Sequence, residues 1–119
     1  MPVGFDAIHV IARVNESQGK LAEFYQRRGR PNRLGYFFEE REFGKFEYLF
    51  VSDYLRTVPG VTLRRSERIG NLVRFRGCQP MVWLDGMRMD HAEADDLVLA
   101  RDVAAMEVYV SPAGTPGQF

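Results

Sequence analysis

The run Ala7-Ile8-His9-Val10-Ile11-Ala12-Arg13-Val14 sets the tightest limit on what this chain can fold into. It is rich in β-branched residues, which favour an extended backbone, and apolar residues fall on both of its faces. A strand of that kind is buried on both sides. His9 lies in the middle of it, where a hydrogen-bonded sheet histidine is the expected role. Asn15 to Gly19 reads as a turn. Leu21, Phe24 and Tyr25 then follow at helical spacing and predict a short helix that fails around Gly29-Arg30-Pro31-Asn32, where Gly and Pro cluster.

From Glu39 to Val58 the apolar positions Phe43, Phe46, Phe50, Leu55 and Val58 are spaced as in a helix, with an interruption near Tyr48 to Val51. Ser52 followed by Asp53 predicts an N-cap, because a short oxygen side chain satisfies first-turn amides. That helix stops before Pro59, which disfavours helical geometry at Val58, and Gly60 completes a turn. Beyond Gly60 the chain turns to short extended runs, Val61 to Arg65, Leu72 to Phe75 and Met81 to Leu84. In Val73-Arg74-Phe75-Arg76 the alternation predicts one buried face and one lined with guanidinium groups. Asp85-Gly86 is a strong turn signal. Asp95-Asp96 suits the start of a third helix running through Ala105, since carboxylates are favoured at a helix N-terminus. Met106 to Val110 reads as a last strand, Ser111 to Gly117 as an irregular exit, and Trp83 as a core residue.

The 119 residues suffice for one domain with its own core. Sixteen basic residues balance sixteen acidic ones, so no net field recommends nucleic acid or an anionic membrane. The arginine groups Arg27-Arg28-Arg30-Arg33 and Arg64-Arg65-Arg68-Arg74-Arg76 lie near Glu39, Glu40, Glu42 and Glu67, which predicts a solvated, ion-paired face. No apolar run approaches the ~20 residues of a membrane-spanning helix. The acidic stretch Asp90-His91-Ala92-Glu93-Ala94-Asp95-Asp96 matches no metal-ligand template and reads as a solvated loop entering a helix. Cys78 with His91 raises a thiol-enzyme reading, but no nucleophile motif surrounds the cysteine. No cofactor, metal or catalytic residue is expected. A lone cysteine cannot form an internal disulfide, and in an exported protein it points to a free thiol or to a partner elsewhere.

Four motifs then stand in order: Asp53-Tyr54-Leu55-Arg56-Thr57-Val58-Pro59-Gly60-Val61, Val73-Arg74-Phe75-Arg76-Gly77, Val82-Trp83-Leu84-Asp85-Gly86, and Met106-Glu107-Val108-Tyr109 with Ser111-Pro112. In this order and spacing they resemble the plug domain of TonB-dependent outer-membrane receptors, over roughly residues 50 to 112. The upstream segment, with Phe24-Tyr25-Gln26-Arg27-Arg28 and Gly35-Tyr36-Phe37, looks like a subgroup of isolated plug-like domains associated with carboxypeptidase-regulatory-like β-domains. In that subgroup a cysteine precedes the strand that ends in Asp-Gly, as Cys78 does here.

The resemblance implies an α+β fold, a small mixed β-sheet with short flanking helices, in which "VRFRG" and "MVWLDG" are neighbouring core strands. It divides residues 1–119 into an N-terminal strand and helix extension (1–34), the plug motifs (35–112) and an exit segment (113–119). It implies a noncatalytic exported domain, in the periplasm or outer membrane, that docks against a β-barrel or an adjacent β-domain. The alternative it carries is the plug of a true receptor, gating ligand uptake through a barrel and responding to TonB. Pro59, Gly60, Arg76, Gly77, Asp85 and Gly86 are its signature residues, and Cys78 is a candidate for a disulfide to a cysteine beyond Phe119. The second Arg-Gly of the receptors is absent, since Val110 and Ser111 occupy those positions.

Overall fold

A computed structural model describes residues 6–13, 19–30, 35–39, 41, 43 and 48–110. The expected α+β class is observed: a five-stranded mixed sheet, a separate two-stranded hairpin and a few short helices. The strands are β1 (Ala7–Ala12), β2 (Tyr36–Glu39), β3 (Val61–Arg65), β4 (Asn71–Phe75), β5 (Met81–Leu84), β6 (Met87–Met89) and β7 (Val103–Tyr109). Helix α1 spans Lys20–Arg28 and α2 spans Ala94–Leu97, and short 3-10 helices cover Val51–Thr57 and Ala100–Asp102.

The large sheet runs β2-β7-β1-β5-β6. β1 is its central strand, parallel to β5 and antiparallel to β7, and its residues Ala7 to Ile11 are buried, as a run with two apolar faces requires. Alternation divides its side chains between two cores. Ile8 and Val10 join Met106 and Val108 in the main cluster with Val51, Leu55, Val73 and Phe75, whereas Ile11 and Ala105 face Phe24 of α1 on the other side. Helix α1 ends at Gly29, where the sequence predicts it to fail.

Four sequence expectations are corrected. Glu39 does not begin a helix: Tyr36–Glu39 pairs antiparallel with β7, placing Phe37 against Phe24 and Phe38 against Phe43. Ser52 is not an N-cap, because the tighter helix already begins at Val51, and the serine is fully buried in a bond to another part of the chain. The third helix ends at Leu97 instead of reaching Ala105. Val103 to Ala105 belong to β7, where pairing with both β1 and β2 outweighs the helix preference of alanine. "VRFRG" and "MVWLDG" do not lie side by side. β4 pairs with β3 in the hairpin and β5 with β1 and β6 in the large sheet. The expected exit segment lies outside the described residues.

The hairpin is fixed to the rest of the fold through carboxylates. Asp95 accepts from the amide (2.9 Å) and hydroxyl (2.5 Å) of Ser52 and from the amide of Asn71 (2.8 Å). Glu93, two residues earlier, accepts from the amide of Val73 (3.0 Å) and from Arg74 (2.9 Å). Amides two residues apart along β4 thus bond to carboxylates two residues apart, so that side chains stand in for the neighbouring strand that β4 lacks on this edge. Gly70, at φ 66°, is held where a Cβ would collide with the Asp95 carboxylate.

Asp95→Ala would leave three donors without an acceptor and is expected to destabilise the chain by at least about 2 kcal/mol. Ser52→Ala, which removes one donor, should lose less than half of that. Urea unfolding of the two variants checks the order; equal losses would mean that the carboxylate does not anchor the hairpin.

Candidate functional site

The signature dipeptides occupy turns of the same geometry. Arg76 and Gly77 (φ 52° and 85°) join Phe75 to Cys78 through reciprocal backbone bonds of 2.7 and 3.0 Å. Asp85 and Gly86 (φ 52° and 83°) join β5 to β6. Both are two-residue turns with positive φ at each central position, the turn that matches strand twist. Glycine reaches that region freely and aspartate tolerates it, whereas an arginine held there gives up about 1 kcal/mol.

The Arg76 turn is tied to the Pro59-Gly60 turn, since the Arg76 amide donates to the Gly60 carbonyl at 2.8 Å and the Arg76 side chain passes over Gly60. Two motifs sixteen residues apart in sequence therefore form one corner of the molecule. The Arg76 guanidinium is exposed and makes no ion pair among the described residues. Its charge still reaches Asp6, whose carboxyl burial pushes up and Arg76 partly pulls back. Cys78 is exposed next to this corner with a free thiol.

The Asp85 turn closes against β1. Asp85 accepts the Ala12 amide at 3.0 Å, its own amide donates to the Val10 carbonyl at 2.9 Å, and the Gly86 amide donates to Nε2 of His9 at 3.0 Å. With Nε2 accepting, the ring proton sits on Nδ1, which donates to Glu107 at 3.3 Å. Glu107 faces His9 across the β1–β7 register, and both are buried. The same carboxylate accepts from Nε and Nη2 of Arg27 at 2.6 and 2.8 Å and from the Tyr109 hydroxyl at 2.6 Å. Arg27 reaches it from α1, one turn beyond Phe24.

Burial alone would raise the Glu107 pKa, but hydrogen bonds from His9, Arg27 and Tyr109, together with the Arg27 charge, outweigh it and hold the carboxyl below its ordinary range. Burial likewise opposes the charged form of Arg27, and Glu107 overcomes it and holds the guanidinium charged. Tyr109 is pushed far up by burial and by its bond to the carboxylate. This network locks α1, β1, β7 and the Asp85 turn together. Every donor and acceptor described in it faces another, so His9 has the role expected of a sheet histidine.

The six signature residues fall into two groups, Pro59, Gly60, Arg76 and Gly77 at one corner and Asp85 and Gly86 beside the end of β1. The acidic stretch is a solvated loop entering a helix only in part: Asp90, His91 and Asp96 are exposed and a helix does begin at Ala94, but Asp95 and Glu93 turn inward to close the edge of β4, and Asp96 pairs with Arg68. Among the described residues no group of His, Cys, Asp and Glu could hold a metal ion. The first arginine group is not a uniform solvated face either, because Arg27 is buried while Arg28 pairs with Glu39 at the surface. Trp83 is half-buried in β5. Sequence reasoning missed Glu107, Arg27, Tyr109, Asp95 and Glu93. The available signal was a lone carboxylate inside the apolar run Ala104 to Val110, opposite a lone histidine in an equally apolar strand.

Among the described residues no helix is long and apolar enough to cross a membrane. No family model matches the chain, and no curated protein or solved structure matches it.

Glu107→Gln leaves Arg27 charged and uncompensated in the core, and is expected to destabilise by about 3–5 kcal/mol. Because the folded-state pKa of Glu107 is depressed, its contribution is complete above the ordinary carboxylate value of 4.5 and is lost as pH falls through the lower folded value. Unfolding free energies measured across this acid range should fall less steeply in Glu107→Gln than in the parent chain; identical slopes would remove Glu107 as a source of acid sensitivity.

Proposed function

We propose that this chain is a noncatalytic plug-like docking module of an exported protein, seated in the periplasm or at the outer membrane against a β-barrel or an adjacent β-domain. The observation that carries this reading is Arg76. It is an exposed arginine on a left-handed backbone, fixed by the Gly60 carbonyl and without an ion pair among the described residues. Its left-handed backbone would be less strained with asparagine, and unfavourable backbone geometry of this kind concentrates where a side chain must be presented. The motif resemblance supplies the partner class, since it implies that this arginine meets carboxylates on a surrounding wall. Cys78, exposed beside the same corner, is suitably placed for a disulfide to a partner cysteine.

Arg76→Asn separates presentation from stability. The variant should be as stable as the parent chain or more so, by up to about 1 kcal/mol, because asparagine accepts positive φ more readily. Its co-purification with the neighbouring β-domain or barrel, expressed in the native cells, should fall by about tenfold, the loss expected of one charge-assisted contact. Fractionation that finds the protein in the cytoplasm, or an Arg76→Asn variant that docks as well as the parent, rules the reading out.

A further inference from the structure

We propose that the outer edge of β3 is a strand-addition site for an extended acidic segment of a partner polypeptide. This rests on the docking reading and specifies its surface. Leu63 lies opposite Val73 and Arg65 opposite Asn71 in the hairpin register. The amides of Val73 and Asn71 point away from β3, to Glu93 and Asp95. These are therefore pairs that do not exchange backbone bonds, and the amides of Leu63 and Arg65 point outward on the opposite edge. Neither has a partner among the described residues.

Two other edges are protected. Carboxylates close β4, and β6 is only three residues long and carries the Arg88–Asp90 ion pair. β3 has no proline or bulge, and Val61 and Leu63 pack against the core, so the edge is held rigid. Pre-organisation of this kind favours an added strand, which gains affinity from main-chain bonds.

Charge identifies the occupant. In this region Arg56, Arg68 and Arg74 each pair with an acid, Asp53, Asp96 and Glu93. Arg64 and Arg65, both exposed, pair with none among the described residues. Arg65 also lines a groove of about 580 Å³ at the end of β3, together with Phe50 and Ile69. An incoming strand with carboxylates toward that end would meet both guanidiniums. The chain closes its own β4 edge with acidic side chains, the chemistry expected of the partner here. A second copy offers only Val-Thr-Leu-Arg-Arg along β3 and has no acid there to supply.

The test uses the isotopically labelled chain titrated with acetyl-Glu-Glu-Val-Thr-Val-Thr-amide, whose antiparallel addition would set its adjacent carboxylates beside Arg65 and Arg64, and followed by backbone amide shifts and hydrogen exchange. Shifts centred on Leu63 and Arg65, with slowed exchange of both amides, are expected. Replacing the central valine of the peptide by proline should abolish binding, and replacing its acids by lysine should weaken it about three- to tenfold. The double variant Arg64→Glu and Arg65→Glu should reverse that preference. Shifts elsewhere, binding that survives the proline, or self-association of the chain through β3 would overturn the proposal. Arg76→Asn should leave peptide binding unchanged, so a failure here alongside Arg76-dependent docking would discard the β3 edge and leave the docking reading standing.

Discussion

The Glu107 carboxylate is the constraint on which the arrangement of the large sheet depends. It is fully buried in β7, and a charge in that position is tolerated only with close, directed partners. Those partners come from separate parts of the chain: Arg27 from α1, His9 from the central strand and Tyr109 from β7 itself. A shift of α1 along the sheet would part Arg27 from the carboxylate. A one-residue slip of β1 would turn His9 to the opposite face and carry Ile8 or Val10 toward the charge. Apolar packing of Phe24 against Ile11 and Ala105 supplies attraction between helix and sheet but tolerates sliding; the bidentate ion pair does not.

A second set of carboxylates does the corresponding work between the large sheet and the hairpin. Glu93 and Asp95 bond backbone amides of β4, and Asp95 simultaneously holds the buried start of the 3-10 helix at Ser52. That helix packs Val51 and Leu55 into the same core as Ile8 and Met106. The hairpin is therefore joined to the large sheet without being one of its strands. A two-stranded ribbon alone would be marginal, and it is the packing under Val73 and Phe75 and the carboxylate-closed edge that stabilise this one.

Much of this was legible locally. Asp85-Gly86 and Pro59-Gly60 declare turns because the preference resides in the backbone of those residues, and β1 declares burial because both its faces are apolar. The failures are non-local. Glu39 and Ala104-Ala105 looked helical from spacing and propensity, yet pairing across β2, β7 and β1 decided otherwise. Arg27 and Glu107 are 80 residues apart, and nothing near either one announces the other. The acidic stretch misled for a related reason: acidic residues before a short helix fit a solvated N-terminus as well as they fit acceptors for a strand edge that only the folded chain brings near.

Asp85 and Arg76 occupy nearly the same backbone conformation, and the contrast between them bears on how the domain divides its tasks. Asp85 uses its carboxylate inward, on the Ala12 amide, and its turn feeds the His9–Glu107 network. Arg76 directs its charge outward from a backbone that an asparagine would occupy with less strain. The large sheet directs its polar groups to one another, whereas the hairpin closes one edge with Glu93 and Asp95 and, among the described residues, leaves the other, with Arg64 and Arg65, open. Gly60 leads directly into that open strand, and Arg76 follows directly from its partner. A body that docked on this side would meet the Arg76 corner and the β3 edge together, on a ribbon whose loss of freedom has already been met by packing against the core.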